Sequence, residues 1–63
     1  MENLSEELQK IYDLLDSSFQ STNTIAKKAR LNWYRVDNSL RELVRLNLAE
    51  TLELPKLKCW RRK

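Results

Sequence analysis

The sequence predicts an α+β fold in which three helices precede a two-stranded β-hairpin, all within one domain spanning residues 1–63. Apolar residues recur at helical spacing in three segments up to Leu46, and segments 48–54 and 57–61 then alternate as strands do around Pro55. The chain has one cysteine and no histidine, so neither a disulfide nor a zinc site can hold it together. The core must therefore consist of aliphatic and aromatic side chains.

The first predicted helix covers residues 4–17, and either Asn3 or Ser5 can cap its start. Its apolar positions follow an i, i+3, i+4, i+7 pattern and are Leu4, Leu8, Ile11, Leu14 and Leu15. The outer face is acidic, so we assign this helix to the scaffold. Phe19 follows and is expected to enter the core.

Two short helices joined by a tight turn come next. Ser21 is a suitable N-cap for a helix over residues 22–29, Leu31 can anchor the turn, and Asn32 can cap a third helix from Trp33 to Leu46. This is the layout of a helix-turn-helix, whose second helix can lie in the major groove of DNA.

The third helix separates into two faces when it is unrolled at 100° per residue. Its inner stripe consists of Val36, Leu40, Leu43 and Val44, and Trp33 falls on the same side, so we expect the Trp33 ring to be mostly packed. The opposite line consists of Tyr34, Asn38, Arg41 and Arg45, flanked by Arg35 and Asp37.

The chain has no glycine, so asparagine is expected wherever a positive φ is needed, with Asn47 at the end of the third helix.

Charge is distributed unevenly along the chain. Residues 1–19 carry five acidic residues and one lysine, a net charge of −4, whereas residues 20–63 carry eleven basic and four acidic residues, a net charge of +7. Such an asymmetry is expected when one face meets a polyanion, although ordinary surface charge is the alternative.

Trp60 is expected in the core rather than as a stacking platform, and Cys59 is expected to be an inert strand residue.

The sequence resembles the small winged-helix regulators, most closely those of archaea and their viruses and plasmids. The resemblance covers nearly the whole chain and is carried by Ser21, Ile25-Ala26, Ala29, Leu31, Asn32, Val36, Leu40, Leu43, Asn47-Leu48 and the closing Cys59-Trp60-Arg61-Arg62. The chain departs from that pattern at Asn47, where the family usually has glycine. The resemblance implies a winged helix-turn-helix with the β-hairpin as its wing, and it implies double-stranded DNA as the partner.

Candidate residues follow from the chemistry of the DNA surface. Asn38 suits adenine, Arg41 can contact guanine or a phosphate, and Asp37 can accept from cytosine or orient Arg41. With Tyr34 and Arg35, these residues form the expected base-reading set. The expected phosphate and wing contacts are Ser21, Thr22, Thr24, Lys27, Lys28, Arg45, Lys56, Lys58, Arg61 and Arg62, with Lys63 beside them.

The leading expectation is a sequence-specific double-stranded DNA-binding protein that regulates transcription, located in the cytoplasm and on the nucleoid when bound. Tight binding is expected to require a homodimer on two half-sites, since one small domain buries little DNA surface. A monomer that binds weakly, or that works within a larger assembly, is the alternative. No membrane, metal, cofactor or small-molecule ligand is expected. Catalysis is not expected either, because there is no histidine, no glycine-rich loop and no nucleophile with a base partner.

Two alternatives to duplex DNA binding stay open. One is a protein-interaction winged helix or a small subunit of a nucleic-acid-processing assembly, and the other is single-strand binding through aromatic stacking.

Overall fold

Three helices and a three-stranded antiparallel sheet form the protein in a computed structural model that describes residues 4–63. The helices are α1 (Glu6–Leu14), α2 (Thr22–Ala29) and α3 (Trp33–Arg45), and the strands are β1 (Gln20–Ser21), β2 (Ala49–Leu54) and β3 (Leu57–Arg62). This confirms the α+β prediction, and the layout is compatible with a winged-helix arrangement. Within the described part of the chain, no helix combines the length and the apolar character needed to cross a membrane.

The sheet has one strand more than predicted. Its order is β1-β3-β2, so β3 is the central strand and pairs with both neighbours. Gln20 lies opposite Trp60, and Ser21 opposite Cys59, in the additional β1–β3 pair. A strand of two residues is too short to show an alternating pattern, and for this reason the periodicity of the sequence did not reveal it.

The starts of all three helices are capped by side chains. The hydroxyl of Ser5 accepts from the Leu8 amide, that of Ser21 from the Thr24 amide at 3.1 Å, and the Asn32 carboxamide accepts from the Arg35 amide at 2.9 Å. The caps predicted at Ser21 and Asn32 are therefore confirmed. Asn3, the other candidate for the first cap, lies outside the described residues.

Helix α1 is shorter than predicted, ending at Leu14 rather than at residue 17. Leu15 adopts an extended conformation (φ −81°, ψ 149°), which places its side chain in the core with only 2% exposed. The Asp16 carboxylate then accepts a 2.7 Å hydrogen bond from the Ser18 amide, which stabilises a turn. The chain therefore leaves the helical conformation at Leu15, and this change of direction buries the Leu15 side chain.

Among residues 4–63, two have a positive φ, and each follows the last residue of a helix. Asn47 (φ 65°) follows α3 as predicted, and its amide donates to the Val44 carbonyl while the Leu48 amide donates to the Leu43 carbonyl, the pattern of a Schellman motif. The second is Arg30 (φ 58°), which ends α2, so the expectation that asparagine occupies each position of positive φ is wrong here.

The core lies between the helices and the inner face of the sheet. Its fully buried side chains are Ile11, Ile25, Val36, Leu40, Leu43 and Trp60. The prediction that Trp60 is a core residue is confirmed. The prediction for Phe19 is wrong: 38% of the residue is exposed, and its ring stacks with the Arg61 guanidinium, 4.5 Å away.

A buried side-chain hydrogen bond joins the sheet to α2. The indole Nε1 of Trp60 donates to the Thr22 hydroxyl at 2.7 Å, and the two residues are 1% and 3% exposed. Trp60 belongs to β3 and Thr22 is the first residue of α2, so the bond fixes the central strand against the start of that helix.

We expect Thr22→Val to lower the free energy of unfolding by about 1–3 kcal/mol, because the indole N–H would be buried without an acceptor. The measurement is urea unfolding followed by tryptophan fluorescence. The matched control is Thr24→Val in the same helix, which also removes a hydroxyl hydrogen bond, the one to Ser21, but at an exposed site where water replaces it, so the loss should be less than about 1 kcal/mol. Equal effects at the two positions would show that the Trp60–Thr22 bond contributes no specific stability.

Candidate nucleic-acid interface

The predicted outer stripe of α3 is exposed along its whole length. Tyr34 is 76% exposed, and Asn38, Arg41 and Arg45 are also exposed. These residues lie three or four positions apart, which places them on one side of the helix. The predicted geometry of this stripe is confirmed.

The first two residues of the stripe have unused hydrogen-bonding groups. Neither the Tyr34 hydroxyl nor the Asn38 carboxamide has a hydrogen-bond partner among residues 4–63. The Tyr34 ring meets the neighbouring Trp33 ring edge-to-face, with the centroids 5.4 Å apart. Both polar groups are therefore available to a ligand without loss of an internal contact.

Arg41 is held by a buried carboxylate. The Arg41 Nε lies 2.9 Å from Oδ2 of Asp37, which is only 5% exposed although Arg41 itself is largely exposed. Of the two roles predicted for Asp37, the structure places it in the position that orients Arg41, because a buried carboxylate cannot reach a cytosine. Its other oxygen, Oδ1, is buried without a partner within the described residues.

Two further arginines of α3 are engaged by acidic side chains. Arg35 was expected to read bases, but it forms an ion pair with Glu7 of α1, whose carboxylate also accepts from the Ser39 hydroxyl at 3.3 Å. Arg35 therefore faces α1 rather than the outer stripe. Arg45 donates through Nε to Glu42 at 3.0 Å, and this hydrogen bond lowers the pKa of the Glu42 carboxyl below its usual value.

The start of α2 offers less to a phosphate than predicted. Thr22 is buried and its hydroxyl accepts from Trp60, so the expectation that it contacts phosphate is wrong. Ser21 caps the helix, and its hydroxyl oxygen lies 2.9 Å from the Thr24 hydroxyl oxygen, so both hydroxyls already have a partner. Further along, Lys27 is exposed, whereas the Lys28 ammonium donates to the Gln20 side-chain oxygen at 2.7 Å.

The basic residues of the hairpin differ in their availability. Lys56 lies in the β2–β3 turn, exposed and without a side-chain partner in the described chain. Lys58 is 28% exposed, with its ammonium 3.2 Å from the Glu53 carboxylate and 4.9 Å from the centre of the Trp60 ring. The charge of Lys56 is therefore the one most readily offered to a ligand.

The three basic residues at the end of the chain are occupied by contacts within the protein. Arg61 pairs with Glu50 at 2.7 Å, and its guanidinium covers Phe19 on the outer face of the sheet. Arg62 stacks on the Tyr12 ring at 4.4 Å and donates to the Tyr12 carbonyl at 3.0 Å. Lys63 donates to the Asn47 side chain. The prediction that Arg61 and Arg62 lie ready for phosphate is not supported, because each is held against a neighbouring element.

A groove of about 170 Å³ separates α2, α3 and the hairpin turn. It is lined by Thr22, Asn23, Trp33, Lys56, Leu57 and Lys58. Trp33 is 42% exposed here, more than the packed ring that its helical position predicted. Sequence reasoning missed Asn23 and Leu57. Asn23 lies one helical turn before Lys27 on the exposed side of α2, and this spacing could have identified it as a candidate site residue.

The geometry therefore joins the α3 stripe to a basic, partly aromatic groove beside the hairpin turn. Comparison of the chain with protein-family models, curated proteins and solved structures finds no match. Function must therefore be argued from the surface itself.

We expect Arg62→Ala to lower the free energy of unfolding by about 1–2 kcal/mol, because it removes a hydrogen bond from a charged donor and a cation–π contact. The substitution also removes the Arg62 Nε, which is buried without a hydrogen-bond partner among residues 4–63. Relief of that unfavourable burial offsets part of the loss in stability. The measurement is urea unfolding, with exposed Lys56→Ala as the control. A lower affinity for duplex DNA at unchanged stability would instead identify Arg62 as a phosphate contact.

Proposed function

We propose that this protein is a sequence-specific double-stranded DNA-binding protein of the winged-helix type that regulates transcription. In this proposal α3 enters the major groove and the β2–β3 hairpin, acting as the wing, contacts the backbone. The observation that carries the proposal is the exposed α3 stripe, in which Tyr34 and Asn38 present unpaired polar groups beside Arg41.

The chemistry of the stripe suits base recognition. A carboxamide such as that of Asn38 can both accept from N6 and donate to N7 of adenine, and an arginine can donate twice to guanine. Asp37 restricts the orientations of the Arg41 side chain, which reduces the conformational entropy lost when Arg41 binds. Tyr34 can add a hydrogen bond or pack against a thymine methyl group.

Backbone contacts are assigned to Lys27, Lys56 and Lys58. Lys27 and Lys56 have no internal partner to lose within the described chain, and the Lys58–Glu53 pair costs little to break because Glu53 is 71% exposed. Three phosphate contacts and a short reading helix cover little DNA. We therefore propose that tight binding uses a homodimer on two half-sites.

A protein-interaction role is the second candidate, since the exposed Trp33–Tyr34 pair could serve as an aromatic anchor for a partner protein. The two functions differ in their dependence on salt. Duplex binding through several lysines and arginines should weaken steeply as salt rises, because condensed counterions are released from DNA. A largely aromatic protein interface should show little of this dependence.

The function is tested by selecting duplexes from a random library and measuring the affinity of Asn38→Ala for the best sequence. We expect a loss of about 1–3 kcal/mol and a relaxed preference at one base pair, because a single bidentate contact is removed. Fluorescence anisotropy measures the affinity, and a repeated selection measures the preference.

The control is Gln9→Ala on α1, which removes an exposed carboxamide that donates a 2.9 Å hydrogen bond to Asp13 and lies on the acidic helix. This variant should bind the selected duplex as the natural chain does. If the selection yields no preferred sequence, or if the two variants bind equally well, α3 is not the reading element.

A further inference from the structure

The groove beside the hairpin turn has two apolar walls. Trp33 forms one wall with 42% of its surface exposed, and Leu57, 48% exposed, lies among the lining residues contributed by the hairpin. Other large apolar residues of the chain, among them Leu52 and Leu54, are exposed to a similar degree. Trp33 and Leu57 differ from them because both line one groove. An apolar ligand with flat faces would cover them.

The polar lining of the same groove is cationic and amide-bearing. Lys56 and Lys58 contribute two ammonium groups, and Asn23 contributes a carboxamide from the first turn of α2. The Trp33 indole N–H and the Asn23 side chain have no hydrogen-bond partner among residues 4–63. The groove thus combines an aromatic face, free donors and positive charge, the chemistry that recognises a nucleotide.

We propose that this groove binds one unpaired nucleotide of a DNA strand, with its base stacked on Trp33 and its phosphate beside Lys56 and Lys58. The inference extends the proposed DNA binding and rests on it. The nucleotide must be unpaired, because both faces of a base within a duplex are covered by its neighbours. The groove adjoins the N-terminal end of α3, so it would receive a base at the edge of the duplex that α3 contacts.

The test compares a blunt duplex with the same duplex carrying one unpaired 2-aminopurine at its 3′ or 5′ end. We expect the better overhang to bind about 5- to 150-fold more tightly than the blunt duplex, the range that corresponds to stacking of one base on an aromatic side chain. The fluorescence of 2-aminopurine should fall on binding as the base stacks. Trp33 emission should fall with it, whereas Trp60 is buried and should respond little.

The variants are Trp33→Leu, which keeps an apolar side chain but removes the aromatic face, and Trp33→Tyr, which restores a ring. Trp33→Leu should lose the overhang preference and the quenching while its affinity for the blunt duplex stays unchanged. Trp33→Tyr should recover most of the preference. Lys56→Gln should weaken binding of both duplexes, because Lys56 is also assigned to the duplex backbone. It should weaken the overhang duplex more than the blunt one, without abolishing the quenching. Circular dichroism and Trp60 emission report whether each variant is folded.

The outcomes separate this inference from the function it extends. Binding of the blunt duplex with no gain from either overhang would overturn the nucleotide site and leave the duplex function standing. Binding of single strands without any duplex binding would overturn the duplex function but support the stacking site. If free dAMP quenches Trp33 at micromolar concentration, the ligand is a mononucleotide, and the assignment to a DNA strand is wrong.

Discussion

The buried contact between Trp60 and Thr22 determines how the hairpin and the helix-turn-helix are arranged. Trp60 occupies the centre of the core from the central strand, and its one polar atom is satisfied by the first residue of α2. In a chain of this size, with no disulfide, such a contact represents a large share of the net stability. The groove and the hairpin turn keep their positions relative to α3 because this contact holds.

A second constraint is the internal pairing of charge. Arg35, Arg61 and Arg62 are bound to other elements of the protein, and they link α3 to α1, β3 to β2, and β3 to the end of α1. Basic residues counted along the chain therefore overstate the charge available to a polyanion. The cations that remain accessible without an internal partner among residues 4–63 include Lys27 on α2 and Lys56, which lines the groove.

Local patterns predicted the fold well, and long-range contacts account for what they missed. The bounds of α2, the Ser21 and Asn32 caps and the outer stripe of α3 depend on residues a few positions apart, which periodicity records directly. The burial of Thr22 and the capture of Arg62 depend on partners 38 residues away in Trp60 and 50 residues away in Tyr12. No pattern within a window of one helix contains that information.

The central claim is that the α3 stripe and the hairpin turn form one face for duplex DNA. It is tested most directly by following the backbone and side-chain amide signals of the ¹⁵N-labelled protein during titration with the selected duplex at low salt. We predict that the largest shifts occur at Asn38, Arg41 and Lys56, with little change at Gln9 and Lys10 on the acidic helix. Shifts concentrated on α1, or the absence of shifts at saturating duplex, would contradict the account.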